Sequence, residues 1–164
     1  MQKFPYLKNP HHFLATLGGL GLFPIAPGTV GTIFAWLMFI VLSHFINAIT
    51  LVIVSVFIII FAVYISSVVT KDLIEKDHKS IVIDELAGIW FAMIPVLFIA
   101  STQYERSFYA LLVLVLFRIF DIFKPYPISY IDKNIKSGFG VVLDDIVAGV
   151  FAAVFASITT IYLI

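Results

Sequence analysis

The stretch from Ala48 to Thr70 most constrains how this chain can fold, because it contains no charged residue and is long enough to cross a lipid bilayer. A helix needs about 20 consecutive apolar residues to span the hydrocarbon core. The rest of the chain is also rich in apolar residues and poor in charged ones. In total 62% of the 164 residues are hydrophobic and 12% are charged, against about 45–50% and about 25% in soluble domains. A soluble globule of this size could not bury so much apolar surface. The sequence therefore predicts an integral membrane protein.

Four further apolar stretches complete the predicted architecture. The five predicted spans cover Thr29–Ser43, Ala48–Thr70, Ile81–Ala100, Phe108–Phe123 and Val141–Ile164. The Gly-rich stretch Phe13–Ile25 is too short to span and predicts a short re-entrant or interfacial helix. It also resembles a signal peptide, but its glycines and the absence of a small-residue cleavage site argue against removal. We expect one all-α membrane domain over residues 1–164, with about five transmembrane helices.

The basic residues are distributed unevenly between the two ends of these spans. One side carries Lys3, Lys8, Lys71, Lys76, Lys79, Lys124, Lys133 and Lys136, and the loops of the other side carry only Arg106. Loops rich in lysine and arginine stay in the cytoplasm. The N-terminus is therefore predicted to be cytoplasmic, together with the span ends at which the ionisable groups lie.

Charge and cysteine content exclude several functions. Ten Lys and Arg residues balance ten Asp and Glu residues, and no basic run supplies the positive surface of a nucleic-acid-binding protein. The chain has no cysteine, so disulfides, zinc–thiolate sites and thiol nucleophiles are absent.

Carboxylates within the predicted spans form the main candidate site. They are Asp84, Glu85, Asp121, Asp144 and Asp145. Each costs about 2.5–3.5 kcal/mol within a membrane and usually has a function there. A divalent cation would relieve the repulsion between them, and oxygen ligands favour a hard ion such as Mg²⁺. Asp84 and Asp144 could instead be helix N-caps. Two acidic pairs together with Asp121 favour the metal site.

The two acidic pairs precede similar sequences. Ala87-Gly88 follows Asp84-Glu85, and Ala148-Gly149 follows Asp144-Asp145. Small residues allow membrane helices to approach closely. We therefore expect these two helices to pack together and to present their acids to the same site.

Arg118, Asp121 and Lys124 are spaced by three residues and so share one helix face. An arginine fork beside a lysine suits a phosphate group. The alternative is a structural ion pair between Arg118 and Asp121, with Lys124 extending to the membrane interface.

Two further segments are candidates for phosphate chemistry. The turn Pro24–Gly31 leads into a helix, where backbone N–H groups and Thr29 could bind an anion. It could equally be a simple turn into the membrane, capped by Thr29. His78, in the loop before the third span, could act as a general acid or base or contact phosphate. A solvated loop histidine is the alternative.

Five segments, in order along most of the chain, resemble the phosphatidylglycerophosphatase A family. They are Pro27–Gly31 (PGTVG), Asp77-His78, Ile83–Gly88 (IDELAG), Phe117–Pro125 (FRIFDIFKP) and Asp144–Gly149 (DDIVAG). The resemblance implies a Mg²⁺-dependent phosphatase of the bacterial inner membrane. Its substrate would be the lipid phosphatidylglycerophosphate and its product phosphatidylglycerol.

The resemblance also implies roles for the candidate residues. One or two Mg²⁺ would be held by Asp84, Glu85, Asp121, Asp144 and Asp145. Among these, Asp84 and Asp145 would orient or deprotonate a water molecule, and His78 would protonate the leaving alkoxide. Phosphate would be held by Arg118, Lys124 and Thr29. In an alternative mechanism one aspartate is the nucleophile and forms an acyl phosphate.

A small ion- or proton-coupled transporter is the rival interpretation, since acids within a membrane also mark ion paths. The predicted acids crowd one interface instead of the bilayer midplane. The outer parts of the spans, such as Phe91–Ala100, are purely apolar. Both features favour the enzyme.

Overall fold

The computed structural model describes residues 4–71, 73 and 77–163, and these residues form helices joined by turns. The helices are α1 (Pro10–Ala15), α2 (Pro27–Ser43), α3 (Ala48–Thr70), α4 (Ile83–Met93), α5 (Val96–Ile99), α6 (Gln103–Phe123), α7 (Ile128–Asn134) and α8 (Gly138–Leu163), with a 3₁₀ turn at Leu20–Leu22. The all-α prediction is confirmed over this part of the chain. Lys3 and Lys76, used above to predict orientation, lie outside the described residues.

Local sequence determines where several helices begin. The Asn47 side chain accepts a hydrogen bond from Thr50 N at 2.9 Å and caps α3. At the start of α6, Thr102 and Glu105 form a reciprocal capping box. Both satisfy backbone N–H groups that a helix start leaves without partners. Pro27 occupies the first turn of α2, where its missing N–H costs nothing.

Two helices, α3 and α8, are long and apolar enough to cross a membrane, fewer than the five predicted. The predicted span Ile81–Ala100 is divided, because α4 ends at Met93 and α5 begins only at Val96. Pro95 lies between them and has no N–H with which to continue a helix. Helix α2 has 17 residues, and the 21-residue α6 carries charged residues near both ends.

The prediction of one short helix over Phe13–Ile25 is wrong. Helix α1 ends at Ala15, and Gly18 and Gly19 then take positive φ angles of 72° and 101°. Such angles break a right-handed helix and are open mainly to glycine. The chain resumes only as the short 3₁₀ turn.

Helix α4 lies at the centre of the bundle and packs against α2, α3, α6 and α8. A Cβ atom on Gly149 would lie 2.6 Å from the Gly88 carbonyl oxygen, and one on Gly88 would lie 2.8 Å from the Asp145 carbonyl oxygen. The backbones of α4 and α8 are therefore in direct contact, as the two Ala-Gly pairs predicted. This contact brings the acidic first turn of α4 close to Asp145, which lies further along α8.

Buried aromatic side chains connect α4 to its neighbours. Trp90 is fully buried and donates from Nε1 to the Ala35 carbonyl at 2.9 Å. Tyr109 donates from its hydroxyl to the Ala92 carbonyl at 2.8 Å. Burial of such an aromatic side chain removes a large apolar area from solvent, and the hydrogen bond leaves no polar donor without a partner. These contacts fix α2 and α6 against α4.

The outward face of α3 is apolar. Exposed side chains along it include Ile49, Ile53, Phe57, Ile60 and Tyr64. Contiguous exposed apolar surface on this scale marks contact with lipid or with another protein.

Candidate active site

Five helix ends meet at one end of the bundle. Gly28, at the start of α2, lies beside Glu85 of α4 and Arg118 of α6. Gly138, at the start of α8, lies against Ser67 near the end of α3. The ionisable side chains of the predicted spans therefore share one level of the structure, as the sequence predicted.

Asp84, Glu85 and Asp145 form a carboxylate triad. One oxygen from each side chain can be chosen so that all three lie within 4.8 Å of one another. Asp84 and Asp145 are buried, with 6% and 4% of their surface exposed. Asp84 Oδ1 and Glu85 Oε2 are buried without a hydrogen-bond partner among the described residues.

This triad has the properties of a site for a hard cation. Two carboxylates about 4 Å apart repel by about 4 kcal/mol at an effective dielectric constant of 20. Buried carboxylates are normally hydrogen-bonded, paired or coordinated to a metal. Three oxygen donors with unused lone pairs fit Mg²⁺, which prefers carboxylate ligands. The residues present therefore fit the ion that the sequence predicted.

The other two predicted metal ligands are bound to cations of the chain itself. Asp121 Oδ2 accepts a hydrogen bond from Arg118 Nη1 at 2.6 Å. Asp144 Oδ2 accepts one from Lys124 Nζ, also at 2.6 Å. The structure thus brings three of the five acids together around unpaired oxygens and places the other two in ion pairs. Metal ligation by Asp121 and Asp144 stays a prediction.

Arg118 lies between α2, α4 and its own helix. Its Nη1 donates to Asp121 and to Thr32 Oγ1, the latter at 3.2 Å, and lies 3.9 Å from Glu85 Oε1. Arg118 Nε is buried and has no partner among the described residues. The ion pair with Asp121 that the spacing allowed is therefore present. Donors of the guanidinium group nevertheless remain for a ligand.

Lys124 is the centre of a second acidic group, which we call the lysine cluster: Lys124, Asp77, Asp132 and Asp144. Its ammonium group lies 2.8 Å from Asp132 Oδ1 and 3.9 Å from Asp77 Oδ2, besides its bond to Asp144. Partial burial raises the pKa of Asp77, and Lys124 opposes this effect. Lys124 is thus held by carboxylates of the chain. Its contact with phosphate stays a prediction.

The turn before α2 contacts the triad through its backbone. A Cβ atom on Gly28 would lie 3.3 Å from Glu85 Cδ and 3.4 Å from Arg118 Nη2, and still closer to Glu85 Oε1. Only glycine therefore allows the turn this close to both side chains. The cap residue of α2 is Ala26 and provides no side-chain hydrogen bond. Thr29 is consequently not the helix cap that the alternative interpretation proposed.

His78 lies in an aromatic cluster with the N-terminal segment. Its ring centroid is 5.0 Å from that of Phe4, which in turn is 4.9 Å from that of His12. His78 Nδ1 accepts a hydrogen bond from Ser80 N at 3.2 Å, so a neutral ring carries its proton on Nε2. Within the described part of the chain no ion pair joins His78 to a carboxylate. Its role as an acid stays a prediction.

Sequence reasoning missed Thr32 and the partners of Lys124. Thr32 lies one helical turn after Gly28, so its position on the same helix face was a usable signal. Asp77 and Asp132 come from a loop and from α7, and nothing in their spacing predicts a shared partner. A cavity of about 310 Å³ lies at the opposite end of the bundle, with Arg106 and His44 in its wall, and is separate from the triad.

Comparison with known proteins identifies the family. Residues 13–160 match the family model described as Phosphatidylglycerophosphatase A. The chain belongs to the phosphatidylglycerophosphatase A family. It is 38% identical over 147 residues to phosphatidylglycerophosphatase A of Escherichia coli, covering 90% of this chain and 81% of the relative. The corresponding enzyme of Haemophilus influenzae is 35% identical over 150 residues, covering 90% and 87%.

A third relative bears a different name. A Bacteroides thetaiotaomicron protein, provisionally named a phosphatidylinositol-3-phosphatase, is 29% identical over 159 residues, covering 93% of this chain and 96% of the relative. No solved structure matches the chain significantly. The family assignment makes this chain a phosphatase, as the sequence motifs predicted.

Proposed function

We propose that this phosphatase hydrolyses phosphatidylglycerophosphate to phosphatidylglycerol and inorganic phosphate, with Mg²⁺ bound by the carboxylate triad. The observation that carries the proposal is the buried group of unpartnered carboxylate oxygens beside Arg118. The two relatives named phosphatidylglycerophosphatase A support the choice of substrate.

The site combines opposite charges in a way that suits phosphoryl transfer. Asp84, Glu85 and Asp145 would hold the cation, which supplies positive charge next to the scissile phosphate and increases the acidity of a water molecule. Arg118 binds phosphate oxygens and neutralises charge that develops on them.

Proton transfer is assigned to two kinds of residue. A triad carboxylate orients the attacking water and accepts its proton. His78 in its protonated imidazolium form would donate a proton to the leaving glycerol oxygen and would be left as the neutral ring. Lys124 adds positive charge at the edge of the site, although the carboxylates of the lysine cluster share that charge.

We further propose that α2, α3, α4 with α5, α6 and α8 cross the bacterial inner membrane, with the triad on the cytoplasmic side. At 1.5 Å per residue the 17-residue α2 is about 25 Å long, slightly short of the hydrocarbon thickness of about 30 Å. The exposed apolar side chains on α3 support contact with lipid. The scissile bond of a diacyl lipid would then lie at the level of the acids.

The test is release of phosphate by the full-length protein in detergent. Phosphatidylglycerophosphate, phosphatidic acid and phosphatidylinositol 3-phosphate should be offered separately, first with Mg²⁺ and then with EDTA. We expect Mg²⁺-dependent release, fastest from phosphatidylglycerophosphate. Faster release from either other lipid would reject the proposed substrate. Release undiminished by EDTA would reject the metal. Absence of release by folded protein would favour the ion-transport interpretation.

A further inference from the structure

Thr32 connects the Gly28 turn to Arg118. It is fully buried in α2, and its Oγ1 donates to the Gly28 carbonyl at 2.9 Å while lying 3.2 Å from Arg118 Nη1. A guanidinium group only donates, so Thr32 Oγ1 must accept from Arg118. Its own proton is then directed to Gly28. The hydroxyl therefore has a defined orientation at both of its partners.

The bond to Gly28 is common, but the second bond is not explained by helix geometry. Serine and threonine within helices often bond to the carbonyl four residues earlier, as Ser55 does to Leu51 at 2.8 Å. The Thr32 hydroxyl, in addition, accepts a hydrogen bond from Arg118 of another helix. The side chain thus joins α2 to α6 at the site.

The bonds to Thr32 and Asp121 use one nitrogen of the guanidinium group. Both involve Nη1, while Nε is buried without a partner among the described residues. Nη2 lies next to Gly28. Nε and Nη2 form the side-on edge of arginine, which binds two oxygens of a carboxylate or phosphate at once.

We infer that Thr32 is a positioning residue, which together with Asp121 anchors Arg118 Nη1 so that the Nε–Nη2 edge remains available to the substrate phosphate. This inference rests on the proposed function, because it assigns the anion to Arg118. Without the hydroxyl, the guanidinium loses one of its two anchors and can rotate about its long side chain. The phosphate then loses a preorganised partner.

The experiment compares Thr32→Val, which removes the hydroxyl but keeps the shape, with Thr32→Ser, which keeps the hydroxyl. Steady-state phosphate release gives KM and kcat, and inorganic phosphate serves as a competing anion. We expect Thr32→Val to raise KM and the inhibition constant of phosphate about tenfold, equivalent to about 1.4 kcal/mol, with a smaller change in kcat. Thr32→Ser should keep KM and the inhibition constant of phosphate close to their wild-type values.

Thr160→Val is the matched control. Thr160 is also buried, and its Oγ1 has no partner among the described residues. It lies 15 residues after Asp145 on α8, about 22 Å along the helix. The control should leave KM and phosphate inhibition unchanged. If Thr32→Val behaves like Thr160→Val, the inference is wrong.

A double-mutant cycle shows whether Thr32 acts through Arg118. In an Arg118→Lys background the Nε–Nη2 edge is absent, so Thr32→Val should have little further effect on KM. An equal effect in both backgrounds would overturn the inference. Failure of the proposed function is distinct, because the wild-type protein would then release no phosphate from the lipid.

Discussion

Two groups of carboxylates lie near one another at the same end of the bundle, and they differ in what balances their charge. In the lysine cluster, Asp132 and Asp144 bond to one ammonium group at 2.8 and 2.6 Å. In the carboxylate triad the nearest cation within the described part of the chain is Arg118, 3.9 Å from Glu85, and two carboxylate oxygens there have no hydrogen-bond partner. In the first group two carboxylates are paired with a cation of the chain, whereas the second group is arranged for a cation from solution.

This difference distinguishes a structural use of buried acids from a functional one. A buried ion pair contributes little net stability, but removing one partner is costly. A group of like charges is costly until an external ion binds. Acidic residues at the same end of the bundle therefore lead to opposite expectations for mutation and for removal of Mg²⁺.

The largest expected effect is on catalysis by Asp145→Asn. The change removes one charged ligand from the triad, and we expect phosphate release to fall at least 100-fold, since even residues behind metal ligands contribute 10–100-fold. The melting temperature in EDTA should not fall, because repulsion within the triad is relieved. Unchanged activity would reject the role assigned to Asp145.

Mg²⁺ should stabilise the folded protein through the triad. At a concentration 100 times its Kd the ion adds about 2.7 kcal/mol, measurable as a higher melting temperature than in EDTA. The increase should disappear in Asp84→Asn and persist in Asp144→Asn. Loss of the increase in both variants would mean that the two groups share the ion, which would remove the distinction between them.

Lys124→Met should destabilise the protein by about 2 kcal/mol, because it leaves Asp144 buried without its partner; the value is reduced from the usual 3–5 kcal/mol since Lys124 is partly exposed. Thermal unfolding in detergent measures the change. The double variant Lys124→Met/Asp144→Asn should recover most of the loss. If Asp84→Asn, and not Asp144→Asn, recovered the stability lost in Lys124→Met, the pairing of Lys124 with Asp144 would be contradicted.

The smallest expected effect is that of Gly28→Ala. The added methyl group would press on Glu85 and Arg118, and we expect about a tenfold loss of kcat/KM, equivalent to about 1.4 kcal/mol. Stability should change little, because both side chains can shift. Gly19→Ala, at a positive φ of 101°, is the contrasting change: it should lower stability without a specific effect on activity.

Several features of the fold were predictable because they depend on local chemistry. The apolar run of α3 and its bounds follow directly from residue type, and the two Ala-Gly pairs correctly predicted contact between α4 and α8. The division of the third predicted span was less evident, although Pro95 was its visible cause. The N-terminal stretch was wrongly predicted as one helix because the positive φ angles of Gly18 and Gly19 outweighed its apolar composition.

Residue type and helical spacing determined that this chain is helical, that its acids gather at one end, and that it belongs to a phosphatase family. They could not determine which acids share a cation, since Asp121 and Asp144 carry the same charge as Asp84 and Asp145. Asp121 is paired with Arg118 of its own helix, as the spacing allowed, whereas the pairing of Asp144 depends on Lys124 reaching it from another helix. Lys124 turns toward α7 and α8, and Arg118 toward α2, only because the packed helices place oxygen acceptors there.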